Sequence, residues 1–560
     1  MATAADEAMT PPTGDAAAAN PYLKLDGTLG TRMSWYALTL VVLMQAMSMV
    51  DRQVLSIVLP RIKADLAVGD AEMGLLYGTV FALFYALFSL PLGRLADGWS
   101  RKKLLSLSLA GWSVATGLAG FAKGFTLLAV SRLGVGIGEA GSQPAGLSLM
   151  TDTFPKAKRG MIGAAMAIAV AIGLGAALTI GGSIADWWDG AYPPGSSAPL
   201  GLAGWQAAFI GAAMPGVVLA VLMWRLPEPV RGVADGIVTP KDPAPFRAAG
   251  NLLATILPVF VWLNFLRRRA SAKFWAVNLV GLAVIAGGAL WLTNFTDSLR
   301  PVNPIAIPLG SGGLTGNAVQ WSVSGFGFYV LLNWFQSLKL GDRPSYATIV
   351  KSPATVLVIL TASVQTMLNY SVMGFTPTYL IEHFHQSATQ VGLIFGPFIA
   401  ILGVAGPLIA GPLSDWTEAR VKGGRLMVTF VSLIVSPLCA VAVYTTGSLT
   451  MFYVFFVGFS LSTTMWLPSI YASLMELVLP RMRGMVTSFY ILSITIIGQG
   501  TGPYTVGLIA DRNGGDLASA ILTLYWVAIP ILVLAGLSIW RYRIDEPLVL
   551  DRARAAGEPV

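Results

Sequence analysis

Apolar runs long enough to cross a bilayer recur near residues 35–60, 72–93, 104–122, 125–150, 160–184 and 203–224, and again near 353–380, 390–411, 426–446, 450–475, 485–509 and 518–539. A chain in hydrocarbon must satisfy its own backbone donors and acceptors, and runs of about 20 residues do so as α-helices. The two sets are copies. Gly74-Leu75-Leu76-Tyr77-Gly78 returns as Gly392-Leu393-Ile394-Phe395-Gly396, and Gly93, Leu95 and Asp97 return as Gly411, Leu413 and Asp415, both at a shift of 318 (392 − 74; 411 − 93). Arg159-Gly160-Met161 returns as Arg483-Gly484-Met485 at a shift of 324 (483 − 159), and Ile184-Ala185-Asp186 as Ile509-Ala510-Asp511 at 325 (509 − 184). Matched blocks in one order predict a parallel repeat: an all-α membrane protein of two six-helix bundles.

Composition agrees with this class. Hydrophobic residues make up 55% of the 560 residues and charged ones 11%, and the mean hydropathy is +0.68, which places the chain among polytopic membrane proteins. The net charge of +8 does not indicate nucleic acid, because the basic residues sit in short segments between apolar runs, as the positive-inside rule expects. Arg101, Lys102 and Lys103 follow the second run, Lys156, Lys158 and Arg159 the fourth, Arg420, Lys422 and Arg425 the eighth, and Arg481 and Arg483 the tenth. The reading is a multi-pass protein of the cell inner membrane with both termini cytoplasmic, in contact with membrane lipids and monomeric. Residues 1–32 are expected to be a disordered cytoplasmic tail, 33–225 and 351–542 the two bundles, and 543–560 a second cytoplasmic tail. Cys439 stands alone in an apolar run and reads as a packing residue. No P-loop or metal motif is present, and His383 and His385 are too few for a metal site, so neither an enzyme, a cofactor nor a metal is expected.

Residues 226–350 are an insertion between the copies, with apolar segments near 252–266, 274–294 and 318–336. The basic loops after the second and eighth spans must lie on one side, so the insertion crosses an even number of times. The first segment is short and ends in Arg267-Arg268-Arg269, so it is expected to lie at the interface; the other two would form a transmembrane hairpin, giving about fourteen spans.

Ionisable residues within the spans are the functional signal. Each costs about 3 kcal/mol at the helix centre unless it faces protein or a water-filled cavity. Asp51 and Arg52 lie in the first span, Arg132 and Glu139 in the fourth. Under the repeat, Asp51 and Arg52 correspond to Asn369 and Tyr370, and Arg132 and Glu139 to Phe456 and Thr463. Proton coupling is therefore assigned to the first bundle, with Asp51 and Glu139 as the protonatable groups and Arg52 and Arg132 as ion-pair or anion contacts; the simplest wiring pairs Asp51 with Arg132 and lets Arg52 reach Glu139 or an anionic substrate. Asn369, Tyr370, Thr463, Trp466, Phe84 and Met44 are expected at the substrate cavity. A cytoplasmic gate is assigned to Asp97 with Arg101 at i, i+4, to Asp415, and to the repeated pairs Asp152 with Arg159 and Glu476 with Arg483. The glycines of Arg132-x-x-x-Gly136-x-Gly138 read as close-packing positions.

Asp51-Arg52 together with Ser131-Arg132-Leu133-Gly134-Val135-Gly136-Ile137-Gly138-Glu139-Ala140 resembles the Spinster family of the major facilitator superfamily. The resemblance covers most of the first half; the second half is similar to the superfamily at large. Spinster members in animals move sphingosine-1-phosphate or lysophospholipids, some with proton dependence. The resemblance implies a secondary active transporter working by alternating access, with a lipid or organic-anion substrate and the proton gradient as its energy source. Two other readings are a proton symporter for a small organic anion and a non-transporting receptor or scaffold that docks through the hairpin.

Overall fold

The computed structural model describes residues 21–24, 28–155, 158–193, 197–235, 242–254, 257–300, 303–309 and 312–558. The first bundle comprises α1 (Arg32–Leu66), α2 (Asp70–Gly98), α3 (Arg101–Ala119), α4 (Phe125–Glu139) continued after a break by α5 (Ser142–Thr151), α6 (Arg159–Ala191) and α7 (Gly204–Trp224). The insertion forms α8 (Pro245–Leu253), α9 (Pro258–Arg267), α10 (Ala272–Leu299), a two-stranded antiparallel ribbon of β1 (Ile305–Leu309) and β2 (Gly312–Thr315), and α11 (Gly316–Gly341). The second bundle comprises α12 (Pro353–Phe384), α13 (Ala388–Glu418), α14 (Gly424–Thr445), α15 (Leu449–Glu476), α16 (Arg483–Ser493) joined through a π turn to α17 (Gly502–Arg512), and α18 (Leu517–Asp545), followed by α19 (Val549–Ala555). Local sequence sets several boundaries. Thr31, Ser352 and Ser387 cap α1, α12 and α13 with their side-chain oxygens, and α1 ends at Ala67 in the left-handed region.

Among the described residues, ten helices are long and apolar enough to cross a membrane, or eleven if α8 and α9 are one bent span. The expectation of fourteen is not met by this measure. Helices α3, α4 with α5, α11, and α16 with α17 fall short of it because they are broken or carry polar side chains: Lys102 and Lys103, Arg132 and Glu139, Asn317 and Gln320, Thr495 and Gln499. Helices α8 and α9 have 9 and 10 residues, each too short to span alone.

Residues 1–20 and 25–27 lie outside the described residues. The rest of the expected disordered tail departs from that expectation: Tyr22 is fully buried, its hydroxyl donates to the Pro227 carbonyl at 2.7 Å, and Leu23 bridges to Leu29. This segment packs at the end of the bundle that bears Arg101, and Ser34 donates to the Thr153 carbonyl there. We call this the basic end and the opposite one the far end.

The bundles are in backbone contact at the far end. A Cβ on Gly507 of α17 would lie 2.1 Å from the Asp70 carbonyl oxygen of α2, and one on Gly392 of α13 would lie 2.5 Å from the Leu178 carbonyl oxygen of α6. Small residues allow this approach, which in lipid is driven by packing and polar contacts rather than by water release. Toward the basic end of the α6 and α13 pair, the Cβ positions of Gly163, Gly403 and Gly411 meet nothing within 4 Å. The α6–α13 seam is thus in backbone contact toward the far end, while these three positions nearer the basic end are open. Gly507→Val forces the far-end seam apart and is expected to destabilise this state by about 1–3 kcal/mol, read as a lowered Tm of the purified protein in detergent; Gly411→Val, in open space, should leave Tm within about 1 °C.

Candidate functional site

Helix α4 reaches its depth by close packing. A Cβ on Gly136 would meet the Phe81 carbonyl of α2 at 2.6 Å, and one on Gly138 the Trp112 Cβ of α3 at 2.7 Å. Sunk between α2 and α3, α4 presents Arg132 and Glu139 to α1, and all three of Asp51, Arg132 and Glu139 are 2% exposed or less. The wiring is partly that expected. Arg52 Nε lies 2.6 Å from Glu139 Oε2, and the same oxygen accepts from the Ser48 hydroxyl at 2.7 Å. The Arg52 guanidinium carbon lies 4.6 Å from each of the Phe81 and Tyr85 ring centroids, a cation–π seat that keeps the charge at the wall of the cavity.

Asp51 and Arg132 do not pair through the carboxylate. Arg132 Nη1 donates to the backbone carbonyl of Asp51 at 2.7 Å, and the carboxylate instead accepts from the indole N–H of Trp112 at 2.9 Å. Helical spacing set the depths of both residues but not the direction of Asp51, which points toward α3. Trp112 was missed because one indole in an apolar run has no periodic signature. Asp51 Oδ1, Glu139 Oε1, and Nε and Nη2 of Arg132 have no hydrogen-bond partner among the described residues.

A cavity of about 220 Å³ lies between the bundles. The first bundle contributes Arg52, Arg132, Phe81, Tyr77 and Leu174 to its wall, and the second Asn369, Tyr370, Met373 and Gln499. Of the residues expected there, Asn369 and Tyr370 line it. Thr463 donates to Asn369 Oδ1 at 2.6 Å and borders a smaller cavity of about 80 Å³ in the second bundle. This neutral pair stands where the repeat has Asp51 and Glu139. Met44, Phe84 and Trp466 are corrections. Met44 is fully buried in the core of the first bundle, and Trp466 is buried among the basic-end core residues of the second. Phe84 packs into that second core, while Phe81 and Tyr85 face Arg52. The π turn at Leu76–Val80 adds a residue to one turn of α2 and so rotates the face that helical counting assigns to the cavity.

The expected gate is rearranged. Asp97 and Arg101 do not brace each other; the Asp97 carbonyl accepts from Arg231. Arg101, fully buried, pairs with Asp152 and, at 3.0 Å, with Glu228. The Arg159 side chain lies outside the described residues. Glu476 pairs with Arg425 and Tyr542 rather than with the exposed Arg483, and Arg425 also reaches Asp415 at 3.0 Å. Arg101 to Arg425 and Asp152 to Glu476 are both shifts of 324 (425 − 101; 476 − 152), so the repeated pair is real but joins the start of the third helix to the end of the fourth. Arg101–Asp152 and Arg425–Glu476 each lie within one bundle. They act as staples there rather than across the halves. Burial raises the Glu228 carboxyl, but the Ser100 hydroxyl, the Lys102 amide and the Arg101 cation outweigh it and hold the group below the usual carboxylate range.

The family model described as Major Facilitator Superfamily matches residues 41–346 and 357–559. The chain belongs to that superfamily and is a multi-pass membrane transporter. It resembles the Spinster proteins within it: it is 25% identical over 260 residues to protein spinster of Drosophila melanogaster, 46% of this chain and 38% of that one. A solved bacterial homologue of the human lysosomal transporter Spinster, inward-facing and occupied, superposes with a TM-score of 0.62 at 20% identity, covering 93% of this chain and 99% of that one. An MFS-type efflux pump of Mycolicibacterium smegmatis is 23% identical over 532 residues, 94% of this chain and 96% of that one.

The Arg52–Glu139 bridge can be tested apart from transport. Arg52→Met strands a buried carboxylate and is expected to cost about 3–5 kcal/mol, whereas adding Glu139→Gln should recover most of the loss. Thermal unfolding of both variants reads the difference.

Proposed function

We propose that the protein is a proton-coupled secondary active transporter of an amphipathic organic anion, such as a lysophospholipid or a sphingosine-1-phosphate-like lipid. The observation that carries the reading is Arg132: buried, on the wall of the cavity between the bundles, with two N–H groups unpartnered among the described residues. An anion would satisfy them, and the surrounding Leu76, Met49, Val170, Leu174 and Met373 suit an apolar portion. Protonation of Glu139 would release Arg52 from its bridge toward the same anion, so that proton and substrate bind in one state. Asp51, held by Trp112, is the second protonatable group. The backbone contact and reciprocal side-chain contacts at the far end support a state open toward the side bearing the basic loops, which the positive-inside rule makes the cytoplasm, with both termini there.

The compact cavity favours a second reading, a proton symporter for a small organic anion. Counterflow in proteoliposomes with lysolipids and small carboxylates separates the two, since only the true substrate class exchanges. In the same assay Asp51→Asn or Glu139→Gln should abolish accumulation driven by a pH gradient by about tenfold or more while sparing exchange; unchanged driven uptake in both variants removes the coupling assignment.

The fourteen-span topology, with α10 and α11 as a hairpin crossing the membrane, is part of the proposal. A cysteine replacing Ile305 in β1 should react with an impermeant maleimide from outside the cell. Reaction only after permeabilisation would place the ribbon in the cytoplasm and remove the hairpin.

A further inference from the structure

The repeated Ile-Ala-Asp blocks meet the opposite bundle. Asp186, near the end of α6, accepts from the Thr389 amide at 2.7 Å in the first turn of α13. Asp511, at the end of α17, accepts from the Asp70 and Ala71 amides at 2.7 and 3.0 Å in the first turn of α2. Thr389 and Ala71 are themselves related by the shift of 318 (389 − 71), so each half caps a helix of the other and the two caps are equivalents. A carboxylate at a helix N-terminus satisfies amides with no partner of their own and complements the helix dipole. Both caps hold only while the far end is shut.

Their counter-charges differ. Asp186 is neutralised from its own bundle by Arg61 of α1, which also reaches Asp189 at 2.8 Å. The position equivalent to Arg61 is Tyr379 (61 + 318), which carries no charge. Asp511 is instead paired by Arg300 at 2.8 Å, the residue that follows α10 of the insertion. Arg300 is 8% exposed and also grips Glu72 of α2 through both terminal nitrogens, at 2.6 and 2.8 Å. One guanidinium from the insertion therefore bridges a carboxylate of each bundle.

Helix α11 straddles the same seam. Gln320 donates to the Gly500 carbonyl at 2.9 Å and accepts from Thr79 of α2, while the Tyr504 hydroxyl of α17 donates to Asn317 at 2.7 Å. A Cβ on Gly327 would sit 3.0 Å from Leu83 of α2 and 3.1 Å from Ile496 in the π turn before α17. If the far end opens, α2 and α17 separate and the insertion must give up one set of partners.

We propose that Arg300 is a positioning residue of the transport cycle: the insertion supplies the counter-charge that the second half lacks and thereby sets the fraction of protein closed at the far end. The proposal rests on the alternating-access reading, but not on the substrate or on proton coupling. Losing Arg300 leaves Glu72 and Asp511 as adjacent unpaired carboxylates, which favours the state that separates them.

Distances between paired spin labels on the full-length protein in nanodiscs test this, in a Cys439→Ser background. One pair, Ala64→Cys with Asn513→Cys, spans the far end; the other, Lys103→Cys with Arg420→Cys, spans the basic end. Arg300→Gln is expected to raise the longer-distance population of the far-end pair by about tenfold and to shorten the basic-end pair reciprocally; Arg300→Lys should retain most of the closed population. A merely structural role would broaden both distributions without reciprocity, and that result overturns the proposal. Should Arg300→Gln fail to fold, Glu72→Gln with Asp511→Asn removes the partners instead; unchanged distributions in that folded variant also overturn it. A reciprocal shift in a protein that exchanges no substrate in counterflow would leave the latch standing and remove the transport reading, so the two failures are distinguishable.

Discussion

A carboxylate and a guanidinium shut inside a bundle in lipid must find each other, and the Arg52–Glu139 contact is where this protein meets that demand. Everything around it serves the meeting. Gly136 and Gly138 let α4 sink between α2 and α3, Ser48 supplies a second donor to Glu139, and Phe81 with Tyr85 seats the guanidinium against aromatic faces. The arrangement leaves one oxygen on each acid and two nitrogens on Arg132 unpartnered among the described residues. A structural ion pair is stable only when its remaining valences are filled. Arg132 carries its open valences on the wall of the cavity.

The second bundle supplies a neutral counterpart. Asn369 and Thr463 occupy the repeat positions of Asp51 and Glu139 and hydrogen-bond to one another, whereas the two acids bond to Trp112 and to Arg52 with Ser48. The repeat keeps both pairs of positions, and divergence confined the charged side chains at them to the first half. At the basic end the halves stay alike, and Arg101 with Asp152 and Arg425 with Glu476 staple the third helix of each bundle to the end of the fourth.

The far end obeys the duplication most closely in its backbone and departs from it in its charges. Reciprocal caps by Asp186 and Asp511 are symmetric, yet one acid is neutralised by Arg61 from its own bundle and the other by Arg300 from the insertion. An insertion that buries almost none of α10 against protein nevertheless places one buried cation between the two halves.

The twofold repeat, the six-plus-six helices and the confinement of ionisable residues to the first half were legible in the chain, because periodic apolar length and a fixed shift between copies are one-dimensional properties. Depth was legible too, since rise per residue is constant: Asp51 and Arg132 lie at one level, where Arg132 reaches the Asp51 carbonyl. Direction was not. The π turn in α2 turned Phe81 and Tyr85, rather than Phe84, toward Arg52; Asp51 chose Trp112; Asp152 meets Arg101 from the start of the third helix, and Glu476 chose Arg425 over Arg483. Each of these choices depends on how helices rotate against one another, which only their mutual packing fixes, and the same holds for Arg300, whose two partners lie in different bundles and far from it in the chain.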